Sequence, residues 1–332
     1  MDKELTLICG DAIEEMKKIP ACSIRLIIAD PPYNLGKDYG NNSDYMTNSD
    51  FISFSREWLK EASRILTEDG SIYIFMGMKY ISYVFSILEN EIGMFFNSWI
   101  TWHYTQGIGK TRGYSPRHDD ILFFTKNPKN YVFNLDDIRV PQKFYRSVNN
   151  MRGANPGNVW SFSHMHYCNK NRQAHPTQKP EGVYERIVLA SSNEGDKVLD
   201  PFVGSGTALR VCQQTSRSCI GIDINPNYID LARRRLTEKF TGFDSIDERM
   251  SRVPHDLNDD KIRWEYIVNH IKYFLKNHPN VVENFILEVK KEYNDKLIKS
   301  GQMVLLDSLL PEKNKFNNDL QLNFFGSVLN ID

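Results

Sequence analysis

The spacing of apolar and polar positions divides the chain, as far as about residue 240, into short strands and amphipathic helices. Residues 5–8 read as a strand that ends at Cys9-Gly10-Asp11, and residues 12–19 as a helix stopped by Pro20. Residues 25–29 (RLIIA) form a continuous apolar run, the pattern of a strand buried on both faces. Residues 51–66 place Phe54, Trp58, Ala62 and Ile65 at helical spacing, with Glu68-Asp69-Gly70 as the stop signal. A second buried strand follows at 71–75, a helix at 79–88, and strands at 97–104 and 121–125. Residues 126–172 show little periodicity and much Asn, Gly, Pro and charge, so they read as a loop-rich insert. Periodicity resumes with helices at 181–191, 208–214 and 227–240 and strands at 197–200 and 219–222. Strands alternating with helices predict an α/β fold with a mainly parallel sheet. Beyond 241 the pattern changes to two amphipathic helices, 261–276 and 281–300, and a polar, irregular end.

Charge changes this picture more than composition does. The 332 residues carry 41 Lys+Arg and 42 Asp+Glu, a net charge of −1, which by itself argues against a polyanionic partner. The charge is unevenly spread. Residues 1–104 are net −6, residues 105–180 net +8, residues 181–240 neutral and residues 241–332 net −3. The basic segment interleaves cations with aromatics, among them Lys110, Arg112, Tyr114, Arg117, Lys126, Lys143, Phe144 and Arg146. That mixture suits phosphate contact and base stacking, and it also describes an ordinary solvated surface. Arg233-Arg234-Arg235, at a helix end, reads as a solvated face that complements the helix dipole.

The start of the chain lacks a signal-peptide pattern, and no stretch approaches the roughly 20 apolar residues of a membrane helix. Five cysteines without a C-x-x-C pair read as reduced thiols, and the expected location is cytoplasmic. His164, His166, Cys168 and His175 match no standard zinc spacing, so no metal is expected.

Two loops at predicted strand ends carry unusual chemistry, and ligands of open α/β sheets bind at such ends. Asp200-Pro201-Phe202-Val203-Gly204-Ser205-Gly206-Thr207 leaves one strand and opens a helix, and Asp223 ends the next strand 19 residues after Gly204. A lone G-x-G is often only a tight turn. With the strands, the helix and the acid at that spacing it suits a nucleoside cofactor, its ribose on the carboxylate. Leu209 stands where a third fingerprint glycine would be, which disfavours a dinucleotide. The other loop, Asp30-Pro31-Pro32-Tyr33, is either a rigid turn or a site for a planar amine. In the second case Asp30 and the Pro31 carbonyl accept the amine hydrogens and Tyr33 stacks on the ring.

Together these two motifs resemble the S-adenosylmethionine-dependent amino-methyltransferases of DNA. Their order, with the Asp-Pro-Pro-Tyr loop first, the basic insert next and the glycine loop last, resembles the β group found in bacterial restriction–modification systems. The resemblance covers roughly residues 5–240. It implies a doubly wound, mixed but mostly parallel sheet, Rossmann-like, with circularly permuted motif order, a target-recognition insert and a helical C-terminal extension. On that basis residues 1–125 are the catalytic half, 126–174 the insert, 175–240 the cofactor half and 241–332 an extension without an assigned counterpart. The resemblance implies catalytic roles for Asp30, Pro31, Pro32 and Tyr33. It implies cofactor contacts from Asp11, Asp200, Phe202, Gly204, Gly206, Thr207 and Asp223, and from His175, Thr177, Gln178 and Lys179 of the segment His175-Pro176-Thr177-Gln178-Lys179-Pro180. Trp102 falls where the family often has an aromatic near the target base. It joins Lys110, Arg112, Arg117, Lys143, Arg146, Arg152 and Arg172 as the expected DNA contacts.

The activity implied is direct methyl transfer to the N6 amine of a flipped-out adenine in double-stranded DNA, with N4 of cytosine as the alternative. Transfer to RNA or a protein amide, or a DNA-binding subunit without catalysis, ranks below both. Methylation at cytosine C5 needs a Pro-Cys nucleophile, and none of the 14 prolines precedes a cysteine. Further partners left open are a cognate restriction endonuclease and a second copy of the chain. The charge map makes a direct prediction. If roughly six to ten cations of residues 105–180 touch phosphates, DNA affinity falls about 10³–10⁵-fold between about 50 and 200 mM salt. A flat salt dependence in a binding titration removes this segment as the DNA-facing surface.

Overall fold

The computed structural model describes residues 4–34, 36, 45–104, 109–140, 153–162, 173 and 177–239. The chain divides into two units, Met1–Val140 with Asn155–Arg252, and Pro141–Ala154 with Val253–Asp332. Apart from Gly153 and Ala154, the second unit lies outside the described residues, as do the expected helices at 261–276 and 281–300.

In the first unit β1 (Leu5–Cys9) leads to α1 (Ala12–Lys18), whose N-cap is Asp11. One oxygen of Asp11, Oδ1, accepts the Ile13 and Glu14 amides at 3.0 and 3.1 Å, satisfying donors that a helix start otherwise leaves open. β2 (Ile24–Ala29) follows, then α2 (Asn48–Ile65), capped by Thr47, whose hydroxyl accepts the Asp50 amide. The helix ends at Ile65, and Leu66 already belongs to β3 (Leu66–Met76). The expected stop at Glu68-Asp69-Gly70 is therefore extended strand, because Leu66 pairs with Ile24 and draws the segment into the sheet. A Cβ at Gly70 would lie 3.0 Å from the Arg25 carbonyl oxygen, so the close approach to β2 needs glycine there.

Next come α3 (Ile81–Ser86), continued by a π turn at Ile87–Ile92, and β4 (Phe95–His103), β5 (His118–Thr125) and β6 (Val159–Ser161). Then follow α4 (Glu181–Ser191), β7 (Lys197–Asp200), α5 (Thr207–Gln214), β8 (Ser218–Asp223) and α6 (Pro226–Thr237). The sheet has eight strands in the order β1-β8-β7-β2-β3-β5-β4-β6. Among the described residues β5 alone runs against its neighbours. The strand order reverses where β2 meets β7, with Leu26 opposite Val198 and Ile27 opposite Leu199.

Side chains of β2 alternate between two cores, as the pleat requires. Ile27 and Ala29 pack with Met16, Trp58, Leu59 and Ala62 of α1 and α2. Leu26 and Ile28 pack with Tyr184, Ile187, Leu209 and Val211 of α4 and α5. Every residue of α4 is buried. The sheet is thus covered on both faces, the doubly wound, mixed but mostly parallel arrangement expected.

Three readings change. Part of the loop-rich stretch 126–172 is an edge strand, β6, which pairs with β4 in a register of only three residues, too short to show periodicity. Trp102 is not a surface aromatic. It is fully buried in β4, its Nε1 donating to the Phe162 carbonyl at 3.0 Å, so it is part of the core and not the expected DNA contact. Arg235 is not solvated. Arg235 Nη2 and Arg210 Nε both reach Glu181 Oε1, at 2.7 and 2.9 Å, in a buried cluster. Arg235 also donates to the Ser205 carbonyl at 2.8 Å, which ties α6 to the loop before α5. Arg233 and Arg234 remain exposed.

Gly206, the N-cap of α5, has φ +80°, and a Cβ there would lie 2.7 Å from the Ala232 Cβ of α6. Strained backbone and a blocked approach act together. Gly206→Ala should lower unfolding stability by about 1–3 kcal/mol. Urea titration of parent and variant measures it, and an unchanged midpoint would contradict the close-packing role.

Candidate active site

Parallel strands end on one edge of the sheet, and four adjacent strands here each deliver a carboxylate to it. Asp11 follows β1, Asp223 ends β8, Asp200 ends β7 and Asp30 follows β2, matching the strand order. Asp11, Asp30 and Asp223 line one cavity of about 250 Å³, together with Pro31, Pro32, Tyr33, Thr177, Gln178, Lys179, Phe202, Gly204 and Thr207, while Asp200 lies buried behind its wall. The two motif loops, about 170 positions apart in the chain, therefore share one site.

On the catalytic side the Tyr33 hydroxyl donates to Asp30 Oδ1 at 2.9 Å. The Lys179 ammonium donates to both Asp30 oxygens, at 2.7 Å each. It also lies 5.1 Å from the centre of the Tyr33 ring and 5.4 Å from that of Phe75. Burial pushes the Tyr33 phenol well above its ordinary pKa, and the charge of Asp30 adds to this, so Tyr33 stays a donor. A carboxylate has about four acceptor positions. Oδ1 uses two and Oδ2 one, which leaves an acceptor position on Oδ2. Asn34 holds the loop from behind. Its side-chain amide donates to the Met46 carbonyl and the Tyr80 hydroxyl, and its oxygen accepts the Met46 amide.

On the cofactor side the glycine loop is pinned by carboxylates. Asp200 Oδ1 accepts the Phe202 amide at 3.1 Å, and Asp223 Oδ2 accepts the Gly204 amide at 2.9 Å. Asp223 Oδ1 accepts the Asn225 amide at 2.8 Å. Burial raises the Asp223 carboxyl, while these two amides oppose the shift. Asp200 is almost wholly buried, and burial pushes its carboxyl well above the usual range. The Phe202 amide opposes this, and the charges of Asp30 and Asp223 reinforce it.

The cofactor residues expected from the sequence converge here with two qualifications. Asp200 and Gly206 are not among the lining residues; Asp200 acts through the Phe202 amide and Gly206 through its contact with α6. Lys179, expected on the cofactor, is ion-paired to Asp30. His175 lies outside the described residues, as do Lys143, Arg146, Arg152, Arg172, His164, His166 and Cys168. Lys110 and Arg112 are exposed and Arg117 is half-buried. They sit on the connection between β4 and β5, and β4 ends on the same edge of the sheet as β2. Tyr184 and Tyr228 also line the cavity and were not foreseen. Tyr184 stacks on Phe75 at 5.4 Å. Its only sequence signal was its place on an apolar helix, which reads equally as core.

The raised Asp200 has a definite consequence for stability. Folding tightens its proton, so the stabilisation it contributes is complete below the ordinary value of 3.8 and is lost as pH rises through the higher folded value. Asp200→Asn keeps the acceptor for Phe202 and removes the ionisation. Its melting temperature should exceed that of the parent at about pH 7–8, with the gain shrinking toward about pH 4. Thermal unfolding across that range checks the sign. A variant less stable than the parent at neutral pH would show that the ionised carboxylate is the favoured form.

Comparison with known proteins identifies the family. A DNA methylase family model matches residues 24–234. The type II methyltransferase M.HpaI of Haemophilus parainfluenzae is 65% identical over 299 residues, covering 90% of this chain and 95% of that protein. An alignment of that extent enters the region beyond residue 240, so part of the extension does have a counterpart. The DNA adenine methyltransferase YhdJ of Escherichia coli K12 is 40% identical over 245 residues, 70% of this chain and 82% of that protein. Among solved structures, the cytosine-N4-specific PvuII DNA methyltransferase superposes with a TM-score of 0.59 at 18% identity, over 73% of this chain and 89% of that one. With the family model spanning both motif loops, the chain belongs to the DNA methylase family, the amino-methyltransferases of restriction–modification systems.

Proposed function

We propose that the chain transfers a methyl group from S-adenosylmethionine to the N6 amine of an adenine flipped out of double-stranded DNA. The observation that carries this reading is Asp30, held by Tyr33 and Lys179 with an acceptor position to spare, in the same cavity as the glycine loop. The adenine-specific activity named for a relative at 40% identity supports adenine over cytosine. The alternative is N4 of cytosine, whose amine presents similar geometry.

The residues fit this cofactor. A cavity lined by Asp11 and Asp223 suits a ligand with ribose hydroxyls and cationic groups, and the glycine loop allows close backbone approach. When bound, the cofactor supplies an electrophilic methyl on a sulfonium. The chain's own residues do the rest. An exocyclic amine is a poor nucleophile because its lone pair is delocalised into the ring. Asp30 Oδ2 accepts one N–H and the Pro31 carbonyl the other, which favours a pyramidal nitrogen with its lone pair free for attack. Catalysis is then chiefly orientation. Asp30 takes a proton only as the amine becomes acidic on gaining the methyl. Flipping a base costs a few kcal/mol, and stacking on Tyr33 would return about 1–3 kcal/mol. Phosphate contacts from the basic segment, Lys110 and Arg112 included, supply the remainder. In this reading residues 1–125 and 175–240 form the transfer domain and 126–174 recognise the target.

The test is to incubate protein, labelled S-adenosylmethionine and mixed DNA, then identify methylated nucleosides by mass spectrometry. N6-methyladenine is the expected product. N4-methylcytosine would transfer the proposal to its alternative, and unlabelled DNA would defeat both. Asp30→Ala should lower the rate by at least about 100-fold while cofactor binding persists.

A further inference from the structure

Among the described residues that line the cavity, three are carboxylates and one, Lys179, is a cation. Its ammonium takes a symmetrical place on one of the three, 2.7 Å from both oxygens of Asp30. The side chain is 5% exposed, and its ammonium lies near the Tyr33 and Phe75 rings. The backbone is held as well. The Lys179 carbonyl accepts the Thr207 hydroxyl at 3.4 Å, and Glu181, two residues on, is bound by Arg210 and Arg235. An ammonium on so short and buried a tether has little freedom to swing onto another carboxylate.

We propose that Lys179 is a positioning residue for the catalytic carboxylate and not a cofactor ligand. The proposal rests on the methyltransferase reading above. A carboxylate on a turn rotates about its Cβ–Cγ bond. Two acceptors on one target amine require the plane of that carboxylate to be set in advance. Tyr33 alone holds one oxygen and leaves the plane free to turn about that contact. Lys179, bridging both oxygens, fixes it. The same bridge balances the Asp30 charge beside Asp200. It also leaves only the second acceptor position of Oδ2 for an incoming N–H, so a single direction of approach is offered.

The test compares the full chain with Lys179→Met, which keeps length without charge, and Lys179→Arg, which keeps a cation within reach. The readouts are S-adenosylmethionine affinity by calorimetry and the single-turnover rate on DNA at saturating cofactor. Positioning predicts that the Met variant loses at least about 100-fold in rate while its cofactor Kd stays within about threefold of the parent. The Arg variant should fall between the two, because a charged partner for both oxygens is restored. A cofactor Kd that weakens in step with the rate, in either variant, would make Lys179 a cofactor ligand and overturn the proposal. A Met variant as fast as the parent would overturn it too. Retained cofactor binding shows that a slow variant is folded, and if Met fails to fold the Arg variant carries the same comparison. Failure of the parent chain to methylate any DNA would instead strike the underlying reading.

Discussion

The pairing of β2 with β7 is the constraint on which the rest of the site depends. Parallel strands end on the same edge, and neighbours lie about 4.8 Å apart. Two loops from opposite ends of the first unit are therefore brought side by side by backbone hydrogen bonds. The arrangement also gathers like charges. Each carboxylate is managed by different means. Asp11 caps a helix, Asp223 accepts two backbone amides, Asp200 is driven by burial toward its protonated form, and Asp30 is paired with Lys179. Among the described residues Asp30 alone of the four has a side-chain cation for partner, and it is the carboxylate to which the proposed function gives a chemical task.

The short stretch from Thr177 to Glu181 connects the two halves of the site. Thr177, Gln178 and Lys179 line the cavity, while Glu181 is locked by Arg210 and Arg235 beneath the glycine loop. A buried ion cluster contributes little net stability, because desolvation offsets most of the attraction. Its effect here is geometric. It fixes where α4 begins, where α6 lies against Ser205, and hence where the Lys179 ammonium stands. Gly206 serves the same end by letting α5 start hard against Ala232.

Much of the fold was legible because its central strands are buried on both faces and read as unbroken apolar runs. α4 and β7 appear at the boundaries that their patterns predict. The misreadings share one cause, that pattern does not reveal partners. Trp102 was expected near the target base because of the family resemblance, and its burial follows from its place in the core of β4, where it packs with Phe75 and donates to the Phe162 carbonyl. Arg235 looked solvated because arginines usually are, and Glu181 on another helix together with the Ser205 carbonyl makes its burial tolerable. The start of β3 looked like a helix end because Glu68-Asp69-Gly70 is a stop signal in isolation, and pairing with β2 overrode it.

By itself the sequence determined most of the elements, their order, the two motif loops and the segregation of basic charge, because these follow from local spacing and residue chemistry. Which carboxylate paired with Lys179 was decided by the tertiary structure, as were the protonation tendency of Asp200 and the packing role of Gly206. Those outcomes depend on distances between segments far apart in the chain. A hydrogen bond, a desolvation cost or a steric approach exists only once the strands have paired and the helices have closed over them.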